Sequence, residues 1–386
     1  MDIFKSALEL HEKVHGKLSV DSKININSHR DLSLFYSPGV AAPAKAISKN
    51  GEEIFRYTIK SNTVAVVTNG TAVLGLGDIG PKAALPVVEG KCVLFKLFGG
   101  INAFPVCIDT KNTKEFIEIV KKTVIPFGGV SLEDIAAPDC FEIEKKLIRE
   151  LDVPVFHDDQ HGTSIATLAG LINALKVINK KIENCKIIIL GAGAAGTAIC
   201  KLIRLYGAKN IIVCDTKGAI VATRPDISQN KHKKDLAKIS NPEKISGTLS
   251  KIIRGADVLI GVSGPGLVKP SMIKSMNDNA VIFAMANPVP EIMPDIAKKA
   301  GAAIVATGRS DFPNQINNVL AFPGVFKGIL GTTNRIITDK MKISASKALA
   351  GLLRNPVPDK IIVDIFYKGV ADAVANAIKK TENEKT

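Results

Sequence analysis

A short apolar segment that runs into a glycine-rich turn and then a helix constrains the fold of this 386-residue chain more than any other feature. The segment occupies residues 186–190, and the helical stretch after the turn extends to about Tyr206. Further apolar segments recur at 211–215, 257–260, 280–284 and 302–305. Strands without polar alternation are buried on both faces, which is typical of parallel sheets covered by helices. The second half of the chain therefore predicts a doubly wound α/β domain.

The turn itself, Gly191-Ala192-Gly193-Ala194-Ala195-Gly196, predicts a dinucleotide site. Its glycines would permit a tight turn, a close approach of the backbone to a pyrophosphate and close packing of helix on strand. Asp215, 24 positions after Gly191, would accept hydrogen bonds from the ribose hydroxyls and so favour NAD. Lys217 could offset the repulsion of a 2′-phosphate, so NADP stays open. A tight turn without a ligand is the structural alternative.

The first 160 residues predict a second α/β domain. Strand candidates lie at 64–67, 93–97, 105–108 and 153–156, and amphipathic helices lie near 114–122 and 141–150. The glycine cluster at 75–80 is followed by no clear helix, so we interpret it as a structural turn. We expect a helix from about Thr163 at the boundary, domains of 1–160 and 161–386, and helices after Lys342 that pack back on the body.

Two acidic pairs, Glu133-Asp134 and Asp158-Asp159, each stand near the end of a presumed strand. Several carboxylates without thiolates suit a hard cation, Mg²⁺ or Mn²⁺. Because adjacent strand residues point to opposite faces, Glu133 and Asp134 can bind one ion only if the chain bends there. The alternative is that Asp139 and the second pair stabilise helix N-termini, and spacing alone does not decide between the two.

The histidines and cysteines predict neither a zinc site nor a disulfide framework. His157 and His161 are four residues apart, but no third nitrogen or sulfur ligand is evident. The six cysteines lie far apart without a Cys-x-x-Cys motif, which favours reduced, buried thiols.

The net charge of +14 raises the question of nucleic-acid binding. The densest basic run, 231–238, is interrupted by Asp235 and apolar residues, and the chain has no Trp and only four Tyr to stack on bases. We therefore expect a solvated helix face and no nucleic-acid partner. Since no apolar stretch approaches the roughly 18 residues of a membrane span and no signal peptide is evident, we expect a cytoplasmic protein without a membrane anchor.

A series of short blocks along nearly the whole chain resembles the malic enzyme family. The blocks are Tyr36-Ser37-Pro38-Gly39-Val40-Ala41-Ala42-Pro43, 75–80, 89–91, 131–135, 156–163, the dinucleotide turn, 263–266, 286–288, 306–310, 317–319 and 322–324. One block would be weak, but the series is specific. The length resembles the short prokaryotic-type members that lack a phosphotransacetylase-like extension.

The resemblance implies an N-terminal malic domain for substrate and metal, and a Rossmann-like NAD(P)-binding domain. It implies oxidative decarboxylation of (S)-malate to pyruvate and CO₂ with NAD or NADP and Mg²⁺ or Mn²⁺. A non-decarboxylating 2-hydroxy-acid dehydrogenase and a catalytically silent NAD-binding regulator are the alternatives. Relatives are usually dimers or larger oligomers, so we expect a homodimer, and in short members Tyr36 could reach the site of the partner subunit.

The resemblance also implies roles for individual residues. Lys91, placed before an apolar strand, would be the base, with its pKa lowered by burial and the cation. The other implied residues are Tyr36 as proton donor to enolpyruvate, Asp158 to orient Lys91, Glu133, Asp134 and Asp159 as metal ligands, and Asn287 and Asn317, with neighbouring Asn318, for substrate carboxylate and nicotinamide ribose. Larger relatives bind the substrate carboxylate with an arginine where this chain has Thr71-Ala72, so the anchor would be Asn102, Thr71 or the glycine-rich backbone.

Overall fold

The fold is given by a computed structural model that describes residues 3–73, 75–227, 230–330, 332 and 334–383. In these residues two parallel sheets are each flanked by helices. The first part of the chain contains strands β1 Thr63–Thr68, β2 Asn102–Cys107, β3 Gly129–Leu132 and β4 Val155–His157, and helices α1 Ile3–Val14, α2 His29–Phe35, α3 Ala41–Lys49, α4 Ile54–Tyr57, α5 Gly80–Gly99, α6 Thr113–Thr123 and α7 Asp139–Glu150.

The first sheet has the order β2-β1-β3-β4, and all of its neighbouring strands are parallel. Helices α5, α6 and α7 connect successive strands, as parallel pairing requires. The carboxyl ends of β3 and β4 therefore lie side by side, with Leu132 in register with His157. This edge carries both acidic pairs.

The predicted strand at 93–97 is wrong. These residues belong to α5, which begins directly after the glycine cluster, so the expectation that no helix follows 75–80 is wrong as well. A short apolar run does not distinguish a buried strand from a buried helix. The buried positions Val88, Lys91, Cys92 and Phe95 follow helical spacing, and Lys91 consequently lies on a helix rather than before a strand.

The second sheet confirms the doubly wound α/β prediction. Its order is β10-β9-β8-β5-β6-β7, and only the β6–β7 pair is antiparallel. The remaining elements are β5 Lys186–Leu190, β6 Asn210–Asp215, β7 Gly218–Ala219, β8 Val258–Gly261, β9 Val281–Ala284, β10 Ile304–Thr307, α8 Asp158–Val177, α9 Ala194–Tyr206, α10 Lys231–Ile239, α11 Leu249–Ile252, α12 Pro270–Lys274, α13 Pro294–Lys299, α14 Phe322–Ile329, α15 Asp339–Gly351 and α16 Val370–Asn383.

Helix α8 joins the two sheets. It begins at Asp158, five residues before the expected start, so the second acidic pair lies in its first turn. Helix α15 packs on α8 and α16, while α14 packs on α5. The rings of Phe95 and Phe322 lie 4.6 Å apart at this last contact. One apolar core thus extends from the first sheet through α8 to the second, and the division at residue 160 stays a prediction.

Two expectations from composition can be compared with the described part of the chain. All six cysteines are free thiols, and five of them are buried. No described helix combines the length and the apolar character needed to cross a membrane.

Candidate active site

Three carboxylates converge where the first sheet ends. Glu133 and Asp134 directly follow β3, and Asp159 is the second residue after the end of β4. Each of the three offers an oxygen atom, and these atoms all lie within 4.8 Å of one another. Glu133 and Asp134 are each only 4% exposed, whereas Asp159 is half-buried, so the cluster is deep but can be reached from one side.

The bend that Glu133 and Asp134 need in order to bind one ion is present. Asp134 has a φ of +53°, a left-handed conformation that turns its side chain out of the strand alternation. The backbone N–H of Asp134 donates to Asp159 Oδ2 at 2.9 Å, and its carbonyl accepts from the N–H of Ala72. Thr71 Oγ1 accepts from the N–H of Ala136 at 2.9 Å. The bend is therefore held by hydrogen bonds, and it directs two adjacent acids to one point.

Lys91 reaches the same point from α5. Its Nζ lies 2.9 Å from Glu133 Oε1 and also donates to Asp158 Oδ2, and the residue is only 7% exposed. Burial alone would lower the pKa of Lys91, but the carboxylates of Asp158, Glu133 and Asp159 outweigh it and raise the pKa above its usual range. We expected burial and a bound cation together to lower the pKa of Lys91. The protein's side chains by themselves raise it.

Asp158 is fully buried and is the second carboxylate, beside Glu133, that contacts Lys91 Nζ. Its Oδ2 also accepts from the amide of Asn318, and burial raises the pKa of this carboxyl despite the lysine. A Cβ on Gly162 would lie 1.9 Å from Asp158 Oδ1, which explains why glycine stands at that position. The amide of Asn318 thus binds a side chain of the cluster, while Asn317 Oδ1 accepts from the N–H of Val319.

The donor set fits a hard divalent cation. Glu133 Oε2 and Asp158 Oδ1 are buried carboxylate oxygens without a hydrogen-bond partner among the described residues. Burial raises the pKa of Glu133 well above its usual range, and Lys91 only partly opposes this. Buried acceptors without donors are rare in proteins unless something else satisfies them, and Mg²⁺ and Mn²⁺ prefer carboxylate oxygens. Among the described residues, no group of histidines and cysteines forms a comparable cluster.

The glycine turn of the second sheet has the geometry that a dinucleotide site needs. Gly191 has a φ of +127°, and a Cβ there would lie 2.6 Å from the carbonyl oxygen of Val262. A Cβ on Gly196 would lie 1.9 Å from the carbonyl oxygen of Gly191, so helix α9 packs closely on the turn. A Cβ on Gly193 would meet nothing within 4 Å, so the space in front of the helix N-terminus is open.

Asp215 has a different environment from the one expected. Oδ1 accepts from the N–H of Lys217 at 2.9 Å and from Arg224 Nη1 at 2.8 Å, and Oδ2 accepts from Arg224 Nη2 and Lys233 Nζ, both at 2.6 Å. Burial opposes ionisation, but Arg224 and Lys233 outweigh it and lower the pKa of Asp215 to about 2. Four accepted bonds fill both oxygens, so Asp215 can bind ribose hydroxyls only by exchanging a present partner.

Arg224 and Lys233 were missed in the sequence. Lys233 belongs to the basic run that we expect to be a solvated helix face, and α10 does form there with Lys234 exposed. One lysine of that helix nevertheless turns inward to Asp215. No spacing rule identifies such a contact, because the two partners lie 9 and 18 positions after the acid.

The remaining predicted residues differ in location. Asn287 is exposed in the loop after β9, and a Cβ on Gly75 would lie 2.3 Å from its carbonyl oxygen, so this loop contacts the first part of the chain. Asn102 is the first residue of β2, at the end of the sheet opposite to the acids, and accepts from Lys96 Nζ. Thr71 donates its single hydroxyl hydrogen to Asn69. These contacts disfavour Asn102 and Thr71 as substrate anchors.

Tyr36 is another predicted residue that lies apart from the cluster. It follows α2 and is 67% exposed. Its hydroxyl makes no hydrogen bond to any residue that the structure describes. Among the described residues, the cluster therefore consists of Lys91, the two acidic pairs and Asn318.

Comparison with known proteins agrees with this geometry. Residues 15–115 match the family model described as the malic enzyme N-terminal domain, and residues 160–366 match the malic enzyme NAD binding domain. A bifunctional malic/malolactic enzyme of Bacillus subtilis is 52% identical over 386 residues, which cover 100% of this chain and 94% of that protein. An NADP-dependent malic enzyme of Halomonas elongata is 47% identical, with 93% and 84% covered.

A solved structure extends the likeness to three dimensions. The crystal structure of an NAD-dependent malic enzyme from Thermotoga maritima matches with a TM-score of 0.94 and 47% identity, covering 97% of this chain and 98% of that one. Identity of this level over both sheets, together with two family models in the expected order, leaves one assignment: the chain belongs to the malic enzyme family.

Proposed function

We propose that this protein oxidises (S)-malate and decarboxylates it to pyruvate and CO₂ with reduction of NAD or NADP, in a reaction that depends on Mg²⁺ or Mn²⁺. The observation that carries the proposal is the convergence of Glu133, Asp134 and Asp159 beside buried Lys91. Hydride removal alone requires a base but no such group of acids. Loss of a carboxylate leaves negative charge on the neighbouring oxygen, and a cation site supports that step.

The chain's own residues supply the proton chemistry. Glu133, Asp134 and Asp159 would hold the cation, which when bound would polarise the substrate oxygen and offset the carboxylate charge that raises the pKa of Lys91. Lys91 Nζ accepts the proton of the malate hydroxyl as hydride leaves for the nicotinamide. Asp158 holds Nζ in place, and its own position is fixed by Asn318. Because Lys91 is buried, little water contacts its amine.

Tyr36 is proposed to protonate C3 of enolpyruvate, and a homodimer is proposed to place it. Helices α1 to α4 contain no buried residue in the described part of the chain. Large apolar side chains are exposed there, including Ile3, Phe4, Leu8, Leu34 and Phe35. An apolar surface of this kind is typical of an interface. We propose that a second copy covers it and that Tyr36 enters the partner's site.

The cofactor preference is proposed to be dual. Asp215 forms ion pairs with Arg224 and Lys233. The carboxylate that would repel a 2′-phosphate is therefore neutralised by two cationic side chains. The relatives described above include one named NADP-dependent and one named NAD-dependent. We propose that both dinucleotides are accepted. A cytoplasmic location and the lack of a nucleic-acid partner stay predictions.

Product analysis tests the proposal. Purified protein is incubated with (S)-malate in the four pairings of NAD or NADP with Mg²⁺ or Mn²⁺, and reduced cofactor and pyruvate are measured together. We expect equal amounts of the two. Oxaloacetate as the final product would favour the non-decarboxylating dehydrogenase, and no turnover in any pairing would favour a silent NAD-binding regulator.

A further inference from the structure

Glu291 is a buried acid without a cationic partner. It is 1% exposed, and no lysine, arginine or histidine of the described chain forms an ion pair with it. Its Oε1 accepts from the N–H of Ser263 at 2.8 Å, and its Oε2 accepts from the N–H of Ala286 at 3.1 Å. Burial raises the pKa of Glu291, and these N–H groups act against the increase. A buried carboxyl held by backbone alone is costly, so its position calls for an explanation.

The two donors belong to different loops. Ser263 is the second residue of the loop after β8, and Ala286 stands in the loop after β9, directly before Asn287. The strands are parallel neighbours, so both loops leave the sheet at its carboxyl end, where dinucleotides bind in doubly wound folds. The carboxylate of Glu291 is thus a bridge between two walls of that crevice.

The surrounding backbone is shaped around this bridge. A Cβ on Gly261, the last residue of β8, would lie 2.5 Å from Glu291 Cδ, so only glycine leaves room for the carboxyl group. The carbonyl oxygen of Glu291 accepts from the N–H of Val268, and that of Pro290 accepts from the N–H of Gly266. Segment 290–291 therefore closes the loop after β8 and also holds the loop after β9.

We propose that Glu291 is a positioning residue that fixes the loops at 263–266 and 286–288 relative to each other and thereby sets the affinity for the dinucleotide. This inference rests on the proposed NAD(P)-dependent function. A carboxylate suits the task because each oxygen can accept from one loop. Glutamine has the same shape but presents an NH₂ group to one of the two N–H donors, which leaves that loop without an acceptor.

The test compares Glu291→Gln with Asp257→Asn. Asp257 precedes β8 at the opposite end of the same strand, is also buried, and also accepts from a backbone N–H, that of Lys186 at 2.8 Å. Both variants lose a buried carboxylate next to the same sheet, and Asp257 differs in that it also pairs with Lys180 Nζ at 2.6 Å. Only the first lies at the dinucleotide crevice. Binding of NADH and NADPH is measured by fluorescence titration without metal or malate, together with thermal stability and with KM and kcat.

We expect Glu291→Gln to weaken dinucleotide binding and raise the cofactor KM by on the order of tenfold, the scale of one buried unsatisfied N–H, with a much smaller change in the malate KM. Asp257→Asn should lose stability while keeping the wild-type dinucleotide affinity. If Glu291→Gln does not fold, Glu291→Asp keeps the charge with a shorter reach and should show the same weakening.

Equal dinucleotide affinity in wild type and a folded Glu291 variant would overturn the inference and leave the proposed function intact. Equal weakening in Asp257→Asn would overturn it too, because the effect would then be general destabilisation. A wild-type protein that binds neither dinucleotide would overturn the proposed function and the inference together.

Discussion

Lys91 Nζ lies 2.9 Å from Glu133 Oε1, and both side chains are less than a tenth exposed. Lys91 comes from crossover helix α5 and Glu133 directly follows strand β3, so the contact joins the helix to the carboxyl end of a strand of the same sheet. A buried ammonium among several carboxylates contributes little net stability, because removing it from water costs about as much as the pairing returns. The presence of Lys91 at this point is better explained by a chemical role than by a contribution to stability.

Replacing Lys91 with alanine should abolish malate oxidation, with a loss of at least about a hundredfold in kcat, the lower range for a general base. Lys91→Arg should be equally inactive, since guanidinium does not give up its proton near neutral pH. Formation of reduced cofactor in the presence of malate measures the effect. The matched control is Lys96→Ala on the same helix, whose exposed side chain donates to Asn102 and to no other described residue. Wild-type turnover in Lys91→Ala would refute the assigned role.

Replacing Asp159 with asparagine should weaken Mn²⁺ binding by at least about tenfold, since an amide oxygen is a poorer ligand than a carboxylate. Activity should partly return at high Mn²⁺ concentration. Electron paramagnetic resonance of free Mn²⁺ measures the affinity without turnover. Asp139→Asn, an exposed acid that begins α7, is the control. Unchanged Mn²⁺ affinity in Asp159→Asn would remove this residue from the ligand set.

Replacing Lys233 with alanine should raise the KM for NADP relative to that for NAD, by roughly tenfold. The change removes a cation 2.6 Å from Asp215 and frees an acceptor on that carboxylate, so a 2′-phosphate is repelled while ribose hydroxyls gain a partner. Kinetics with both cofactors at saturating malate give the ratio. Exposed Lys234 is the control position. An unchanged ratio would show that Lys233 does not affect cofactor choice.

Much of this architecture follows from local patterns. The apolar strands and the glycine turn predicted the second sheet because parallel strands buried on both faces need no distant information. The acidic pairs were recognised as candidate cation ligands because each stands near the end of a presumed strand and no thiolate accompanies them, although spacing alone did not decide between a cation site and stabilised helix N-termini. The bend at Asp134 was only a condition for shared binding, since two adjacent acids cannot otherwise face one point, and the structure shows that the condition is met.

Other features depend on the path of the chain in space. Part of helix α5 was mistaken for a strand, because a short apolar run such as Val93 to Leu97 is compatible with a buried strand and with a buried helix. Arg224, a partner of Asp215, lies in a loop, and the other partner, Lys233, lies in α10. No local sequence pattern links either of them to Asp215. Glu291 left only a weak signal, as the single charged residue between Ala280 and Pro294. Such contacts are decided by tertiary packing.

The ion pairs of Asp215 with Arg224 and Lys233 should make the free energy of unfolding fall in acid. The folded-state pKa of Asp215, about 2, is below its ordinary value of 3.8, so its contribution is complete above about pH 4 and is lost as the pH falls toward 2. Asp215→Asn should lower stability by on the order of 1–2 kcal/mol at pH 6, and the difference from wild type should shrink toward pH 3. Urea unfolding across this range tests it, with exposed Asp278→Asn as control. A constant difference would contradict the assignment.

Mixing two defective variants should restore activity if Tyr36 acts in the partner's site. Tyr36→Phe and Lys91→Ala should each have little activity as homodimers, the first through slow protonation of enolpyruvate and the second through loss of the base. In a mixed dimer, the subunit with intact Lys91 receives the intact Tyr36 of its partner, so one site of the two is complete. Random exchange of subunits should then give about a quarter of wild-type activity. If Tyr36 serves its own subunit, every site keeps one defect and the mixture stays as inactive as its parts. The exposed position of Tyr36 after α2 favours the first result.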